Sequence, residues 1–316
     1  MAIPQHPTLF GVDVSKAELV IATQDGAVQA LANDPRAIDR WLATLAGPCW
    51  FALEATSTYH QALAQAAYQQ GHRVYLLDGY RLARYRDSIG GRAKTDQHDA
   101  LLLVRYLARE HDELRPWAPP PAAYTRLQAL LRRRATLVQA RVQIQQSLQG
   151  LPTLRTALKT LLRQLTRLDT LIQKQLREAL ADAGWRDHAR RCQAIEGIGQ
   201  LTATALTTVF HRGHFRSSDA FIAFLGLDVR VRDSGQARGR RKLTKQGDPE
   251  LRRLLYLAAM TARRSPAWAG FYQRYLDRGL KSTQALTILA RKLARVAFAI
   301  LKNGADYVPR KPCLAT

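Results

Sequence analysis

A chain of 316 residues with 47% apolar content is long enough for two or three domains with substantial cores, which excludes a disordered protein. No stretch approaches the apolar length that spans a bilayer, Met1 to His6 has no signal-peptide character, and Cys49, Cys192 and Cys313 lack metal-ligand spacing, so a cytosolic protein with reduced thiols is expected. The net charge of +23 implies a polyanionic partner, nucleic acid rather than membrane, and it is unevenly spread: residues 1–115 carry 12 Lys/Arg against 13 Asp/Glu, residues 116–316 carry 36 against 12.

The first segment alternates strand-like and helix-like pieces. Thr8 to Val14, Ala17 to Thr23 and Ala27 to Ala32 read as a three-strand meander, turned at Gln24-Asp25-Gly26. A helix from Pro35 to about Leu45, a strand closing at Glu54, a helix over Tyr59 to Gln70, a strand over Arg73 to Leu77 and helical material through Tyr85 follow. A last helix opens at Asp96, with Asp96 and Asp99 three apart on one face. This is the element order of an RNase H-like fold, in which carboxylates of the first strand, fourth strand and last helix converge on two metals.

Asp13 lies inside the apolar run Leu9 to Val14, where a lone carboxylate is costly unless a positive charge offsets it. A divalent metal is the usual remedy. Asp13, Glu54, Asp96 and Asp99 are therefore candidate ligands, and an all-oxygen set of this kind selects a hard cation, Mg²⁺. The Gly90 to Thr95 loop before the last helix is flexible and basic; Thr95 suits an N-cap and Lys94 is a candidate phosphate contact.

Trp117-Ala118-Pro119-Pro120-Pro121 marks a boundary. Two long helices follow, broken by Gly150-Leu151-Pro152, and should fold as an antiparallel hairpin with arms of roughly 40 Å. In the second arm Leu154, Leu158, Leu161, Leu165, Leu168 and Ile172 form a coiled-coil seam; in the first, Arg134 and Arg141 interrupt the apolar positions. The hairpin is expected to space domains or dimerise, and Arg132-Arg133-Arg134 is a further candidate grip on nucleic acid.

Ile195-Glu196-Gly197-Ile198-Gly199 resembles the turn of a helix-hairpin-helix, where Gly197 and Gly199 let backbone N–H groups approach a phosphate. Ser217 or Ser218 should cap a helix ended by Gly226, and Asp248-Pro249 should start another. Between them lies the most basic loop of the chain, with Arg230, Arg232, Arg238, Arg240, Arg241, Lys242 and Lys245 as candidate phosphate contacts around Ser234-Gly235. The expected organisation is a RuvC-like catalytic domain over 1–116, a coiled-coil hairpin over 117–188 and a mainly α-helical C-terminal domain over 189–316.

With these pieces together, the chain resembles the DEDD insertion-sequence transposases of the 110 family, the group that includes Piv-type DNA invertases and bridge-RNA-guided recombinases. The resemblance rests on Val-Asp-Val-Ser-Lys at Asp13, Leu-Glu-Ala-Thr at Glu54, Lys-Thr-Asp-x-x-Asp-Ala at Asp96 and Asp99, Glu-Gly-Ile-Gly at Gly197, and Ser-Gly at Ser234 ahead of Lys-x-Gly-Asp. It implies that the four carboxylates bind two Mg²⁺ per site and that Ser234 is the nucleophile of a covalent phosphoserine link. It also implies target and donor DNA as partners, a non-coding guide RNA that pairs with both, a homo-oligomer (dimer or tetramer) with its site assembled between protomers, and a cytoplasmic protein that is nucleoid-associated when bound to DNA. Three departures stand out: Ser57 where the family often has Gly, Leu243-Thr244-Lys245 in place of Ile-Ser-Lys, and Asp228-Val229 in place of Ala-Pro or Cys-Pro. Thr at position 244 favours Ser234 over Thr244 as nucleophile.

Two other readings fit the residues. A RuvC-like junction-resolving nuclease would use water, leaving Ser234 a bystander, and a non-catalytic nucleic-acid-binding protein would use the carboxylates structurally.

Overall fold

Apolar side chains fill both sides of the run Leu9–Val14, so it forms a central strand, β1, rather than an edge. A computed structural model describes residues 7–55, 57–90, 95–230, 233–234, 237–238 and 241–309, with only the backbone at 233, 234, 237 and 238. Lys94, Arg232, Arg240 and Cys313 thus lie outside the described residues, as do the side chains of Ser234 and Arg238. The chain divides into two compact units, 1–119 and 120–316.

In the first unit β1 is followed by β2 (Glu18–Thr23), β3 (Val28–Ala32), α1 (Pro35–Leu42), β4 (Trp50–Glu54), α2 (Gln61–Gln69), β5 (Arg73–Leu77), α3 (Gly79–Ser88) and α4 (Asp96–Glu110). The sheet order is β3-β2-β1-β4-β5; the meander is antiparallel, and β4 and β5 run parallel to β1. This is the RNase H-like arrangement anticipated from the element order. Because strand side chains alternate, the sheet has two cores. Phe10, Val12, Phe51 and Leu53 pack on Ile38, Leu42 and Leu63 of α1 and α2, whereas Leu9, Ala52 and Tyr75 pack on Leu103 and Leu107 of α4.

The second unit opens with α5 (Ala122–Ser147) and α6 (Arg155–Asp182), which pack together as a hairpin. Its base, including Leu127, Leu131, Leu176 and Leu180, belongs to the same core as the helices that follow. The seam differs from expectation. Along α6 the sheltered row runs through Leu158, Leu162, Leu165, Asp169 and Ile172 to the buried Leu176, Ala179 and Leu180, while Leu154, Leu161 and Leu168 are 41%, 43% and 49% exposed. Two seams overlap in the sequence and share Leu158, Leu165 and Ile172; α5 lies on the flank where Arg134 meets Asp169 at 2.7 Å. Arg134 is therefore the partner of a carboxylate across the hairpin, with Gln173 donating to the same group.

Then come α7 (Arg186–Gln193), α8 (Gln200–Phe210), α9 (Ser218–Phe224), the short strands β6 (Val229–Arg230), β7 (Asp233–Ser234), β8 (Ala237–Arg238) and β9 (Lys242–Leu243), α10 (Pro249–Ala262), α11 (Pro266–Asp277) and α12 (Ser282–Asn303). Antiparallel pairing of β6 with β9 and of β7 with β8 folds the basic loop back on itself. Trp268 and Tyr272 are buried in the helical core, and Trp185 packs against it, stacked on His211. Among the described residues no helix is long and apolar enough to cross a membrane.

Candidate active site and nucleic-acid surface

Asp13 and Gly11 share a face of β1, and Gly11 is what allows α4 to lie against it. A Cβ at Gly11 would come within 2.2 Å of the Ala100 carbonyl and 2.5 Å of the Val104 nitrogen, so only glycine permits that approach. The approach sets the start of α4, capped by the Thr95 hydroxyl on the His98 N–H, beside Asp13. On the other side, the parallel register Val12↔Leu53 brings Glu54 level with Asp13 one step further on. The consequence is electrostatic. Asp13 is half-buried, and desolvation, reinforced by the charges of Asp96, Asp99 and Glu54, pushes its carboxyl up to about 6.

The four carboxylates do not all point at one another. Asp99, buried on α4, is held by Arg86 of α3 at 2.5 Å, while the Glu54 carboxylate rests against Gly79, where a Cβ would stand 2.5 Å from its oxygen. Asp96 is exposed. Among the described residues no three Asp, Glu, His or Cys side chains are gathered closely enough to hold an ion as they stand. The donor set still fits a hard divalent cation: oxygen ligands from three elements surround a carboxyl whose ionisation is opposed by its neighbours, a repulsion that a bound cation would reverse. Arg86 neutralises one of those neighbours, Asp99. His98 turns aside, its ring nitrogen 2.7 Å from the Thr95 hydroxyl. Ser57 has φ 48°, the left-handed region where glycine is at ease, which accounts for the Gly that the resemblance leads one to expect there.

In the second unit, Gly197 (φ 89°) lies against α10; a Cβ there would meet the Ala258 carbonyl at 2.5 Å. Gly199 is different. Its φ of −78° suits any residue, its Cβ direction is open, and it precedes α8, whose first-turn N–H groups no side chain caps. Glu196 anchors the turn by accepting from Trp268 Nε1 (3.2 Å) and the Tyr307 hydroxyl (2.6 Å). Burial and this carboxylate raise the Tyr307 phenol well above its ordinary value.

The basic loop emerges from a narrow neck. A Cβ on Gly247 would strike the Phe224 carbonyl at 2.6 Å and the Gly226 nitrogen at 2.8 Å. Thr244 closes the neck: its N–H donates to the Asp228 carbonyl at 3.0 Å and its hydroxyl to the Asp228 carboxylate. Asp228 and Thr244, both departures from the resembling pattern, thus form one contact. Arg230, Arg241, Lys242 and Lys245 stand at the base of the loop, Lys245 with φ 58°.

The family model of IS110-type DEDD transposases matches residues 10–154, and that of the transposase IS116/IS110/IS902 family matches residues 189–273. The chain belongs to this transposase family. The pilin gene-inverting protein of Moraxella lacunata is 29% identical over 268 residues, covering 82% of this chain and 81% of that protein. A probable family 20 transposase of Pseudomonas aeruginosa is 29% identical over 300 residues, covering 83% and 86%. The structure of Thermus thermophilus RuvC with a Holliday junction substrate aligns with 35% of this chain and all of its own at 12% identity, with a TM-score of 0.27, too loose to bear on function.

For an IS110-type transposase, three features of this site escaped sequence reasoning. Arg86 had no local signal, because its pairing with Asp99 depends on how α3 and α4 meet. Gly11 had one: a glycine inside an apolar strand run marks a close backbone approach. The Asp228–Thr244 contact joins positions 16 apart across the loop.

Proposed function

We propose that this transposase cuts and rejoins DNA through a covalent phosphoserine intermediate, with Asp13, Glu54, Asp96 and Asp99 holding two Mg²⁺ and Ser234 as nucleophile. The observation that carries the reading is the place of Asp13, half-buried beside Asp96, Asp99 and Glu54, where burial first and then these charges raise its carboxyl to about 6. Divalent cations there would stabilise charge on the phosphoryl and leaving oxygens and favour the serine alkoxide. Ser234 Oγ forms a bond to phosphorus as one bridging P–O bond of the strand breaks; the serine proton leaves to solvent and the released oxygen takes one up. Rejoining reverses these bonds, with a strand hydroxyl displacing Ser234.

Residues 116–316, with 36 Lys/Arg against 12 Asp/Glu, grip the phosphates of target and donor DNA, including the first turn of α8 after Gly199, read as a helix-hairpin-helix, and the base of the loop. Phosphate contacts carry no sequence information, so a non-coding guide RNA pairing with both DNAs supplies the choice of site. The exposed Leu154, Leu161 and Leu168 suit a homo-oligomer, dimer or tetramer. The protein acts in the cytoplasm, at the nucleoid when DNA-bound.

The test is trapping a protein–DNA adduct with Mg²⁺ and the copurifying RNA. The adduct is expected from the wild type and lost in Ser234→Ala; strand cutting that survives Ser234→Ala would instead favour a junction-resolving nuclease using water. Mixing Asp13→Asn with Ser234→Ala protomers should restore joining if the site is shared between copies. RNase treatment should abolish site-specific joining.

A further inference from the structure

The hairpin carries its charge unevenly. From Ala122 to Leu168 there are nine Lys and Arg and no Asp or Glu. Acids return only toward the base of α6, where Asp169 meets Arg134, Glu178 meets Lys174 at 3.8 Å and Asp182 meets Arg126 at 2.9 Å. Charge is therefore compensated near the core and uncompensated toward the tip.

Within the acid-free part, Arg155, Lys159, Arg163 and Arg167 recur every four residues along α6. An i, i+4 row forms one continuous ridge on a helix, here about 18 Å long. All four side chains are exposed, and among the described residues none has an acidic partner within ion-pair distance. They border a shallow hollow of about 700 Å³ floored by Leu158 and Leu162. Like charges at i, i+4 each destabilise a helix by a few tenths of a kcal/mol, and a solvated arm with no ligand has no reason to stack three such pairs. The exposed leucines Leu154, Leu161 and Leu168 lie on the other flank of the seam, so the ridge is free of any contact they make.

We infer that this ridge on α6 is a binding site for the phosphodiester backbone of a nucleic-acid duplex, distinct from the α8 turn and the basic loop. Its length matches about five base pairs at 3.4 Å each, enough for four cations to meet successive phosphates along one strand. The contact is to charge and spacing, so it adds grip without choosing sequence. The inference rests on the proposed action on nucleic acid.

The test uses the full chain and measures affinity for a DNA duplex and an RNA duplex of one sequence across a salt series. The fourfold variant Arg155→Gln, Lys159→Gln, Arg163→Gln, Arg167→Gln leaves the carboxylates, Ser234 and the loop untouched. For the duplex that occupies the ridge, the slope of log affinity against log salt should fall by about 3 to 4 and the affinity by at least roughly tenfold. A fall with DNA alone, with RNA alone or with both names the source. The companion variant Arg155→Lys, Arg163→Lys, Arg167→Lys should keep the wild-type slope, and the Gln variant should melt no lower than the wild type because three repulsions are removed. Unchanged slopes on both duplexes, or equal losses in the Lys and Gln variants, overturn the ridge. A wild-type chain with no salt-dependent duplex binding at all would instead remove the nucleic-acid reading of the whole protein.

Discussion

The two units of the chain handle charge in opposite ways. In residues 1–119 the overall balance is close to zero, yet like charges are forced toward one half-buried point by a helix packed on a glycine. In residues 120–316 the excess is large, yet it lies on exposed helix faces and a loop, where water and salt screen it. Net charge and local repulsion are therefore separate quantities. A small, concentrated repulsion calls for a bound cation; a large, dispersed one calls for a long polyanion.

The largest effect is expected from Asp13→Asn. Strand cutting should fall by on the order of 10³-fold, while duplex affinity stays within about threefold, because the two functions draw on different charges. In cation-free buffer the same variant should melt higher than the wild type, and added Mg²⁺ should raise the melting temperature of the wild type more than that of the variant. If Asp13→Asn weakened duplex binding as strongly as cutting, the separation would be lost. Next in size, Gly11→Ala should cost about 3 kcal/mol in denaturant titration, since the methyl meets backbone rather than a movable side chain, and it should impair Mg²⁺ binding with it.

The second unit offers a matched pair. Gly197→Ala should destabilise by about 2 kcal/mol through its contact with the Ala258 carbonyl and its left-handed backbone. Gly199→Ala should change stability by under about 1 kcal/mol and show its effect in nucleic-acid affinity instead. Asp169→Ala should cost about 2 kcal/mol by leaving Arg134 half-buried and unpaired, and pairing it with Arg134→Met should recover most of the loss.

A further effect concerns pH. Burial, with His188 2.8 Å away, holds His211 down at about 4, whereas the unfolded imidazole titrates near 6.5. The unfolded chain thus binds the extra proton between these values, so this contribution to stability is full above about pH 6.5 and is lost as pH falls toward 4. Melting curves across that range should show the decline, flattened in His211→Gln.

Much of the first unit was legible from sequence. Three successive strand-like runs, then strands separated by helical patterns, define the sheet, and Asp13, Glu54 and the α4 start fall together once that order is known. The orientations were not legible. Asp99 turns to Arg86 because α3 approaches α4, an approach that no local pattern encodes. The hairpin shows the same limit: leucines at spacings of three and four specify a coiled-coil arm, but two overlapping seams satisfy them, and the choice depended on Asp169, which a hydrophobic pattern passes over. At the loop, Asp228 and Thr244 look like separate departures and are two halves of one contact.

The neck at Gly226 and Gly247 has an evolutionary consequence. Since the polypeptide leaves and re-enters the helical scaffold at one spot, held by the Asp228–Thr244 clasp, insertions or deletions between them need not propagate into α9 or α10. The stretch that bears Ser234 is in effect a cartridge, whose length and cationic content can change while the frame around it stays unaltered.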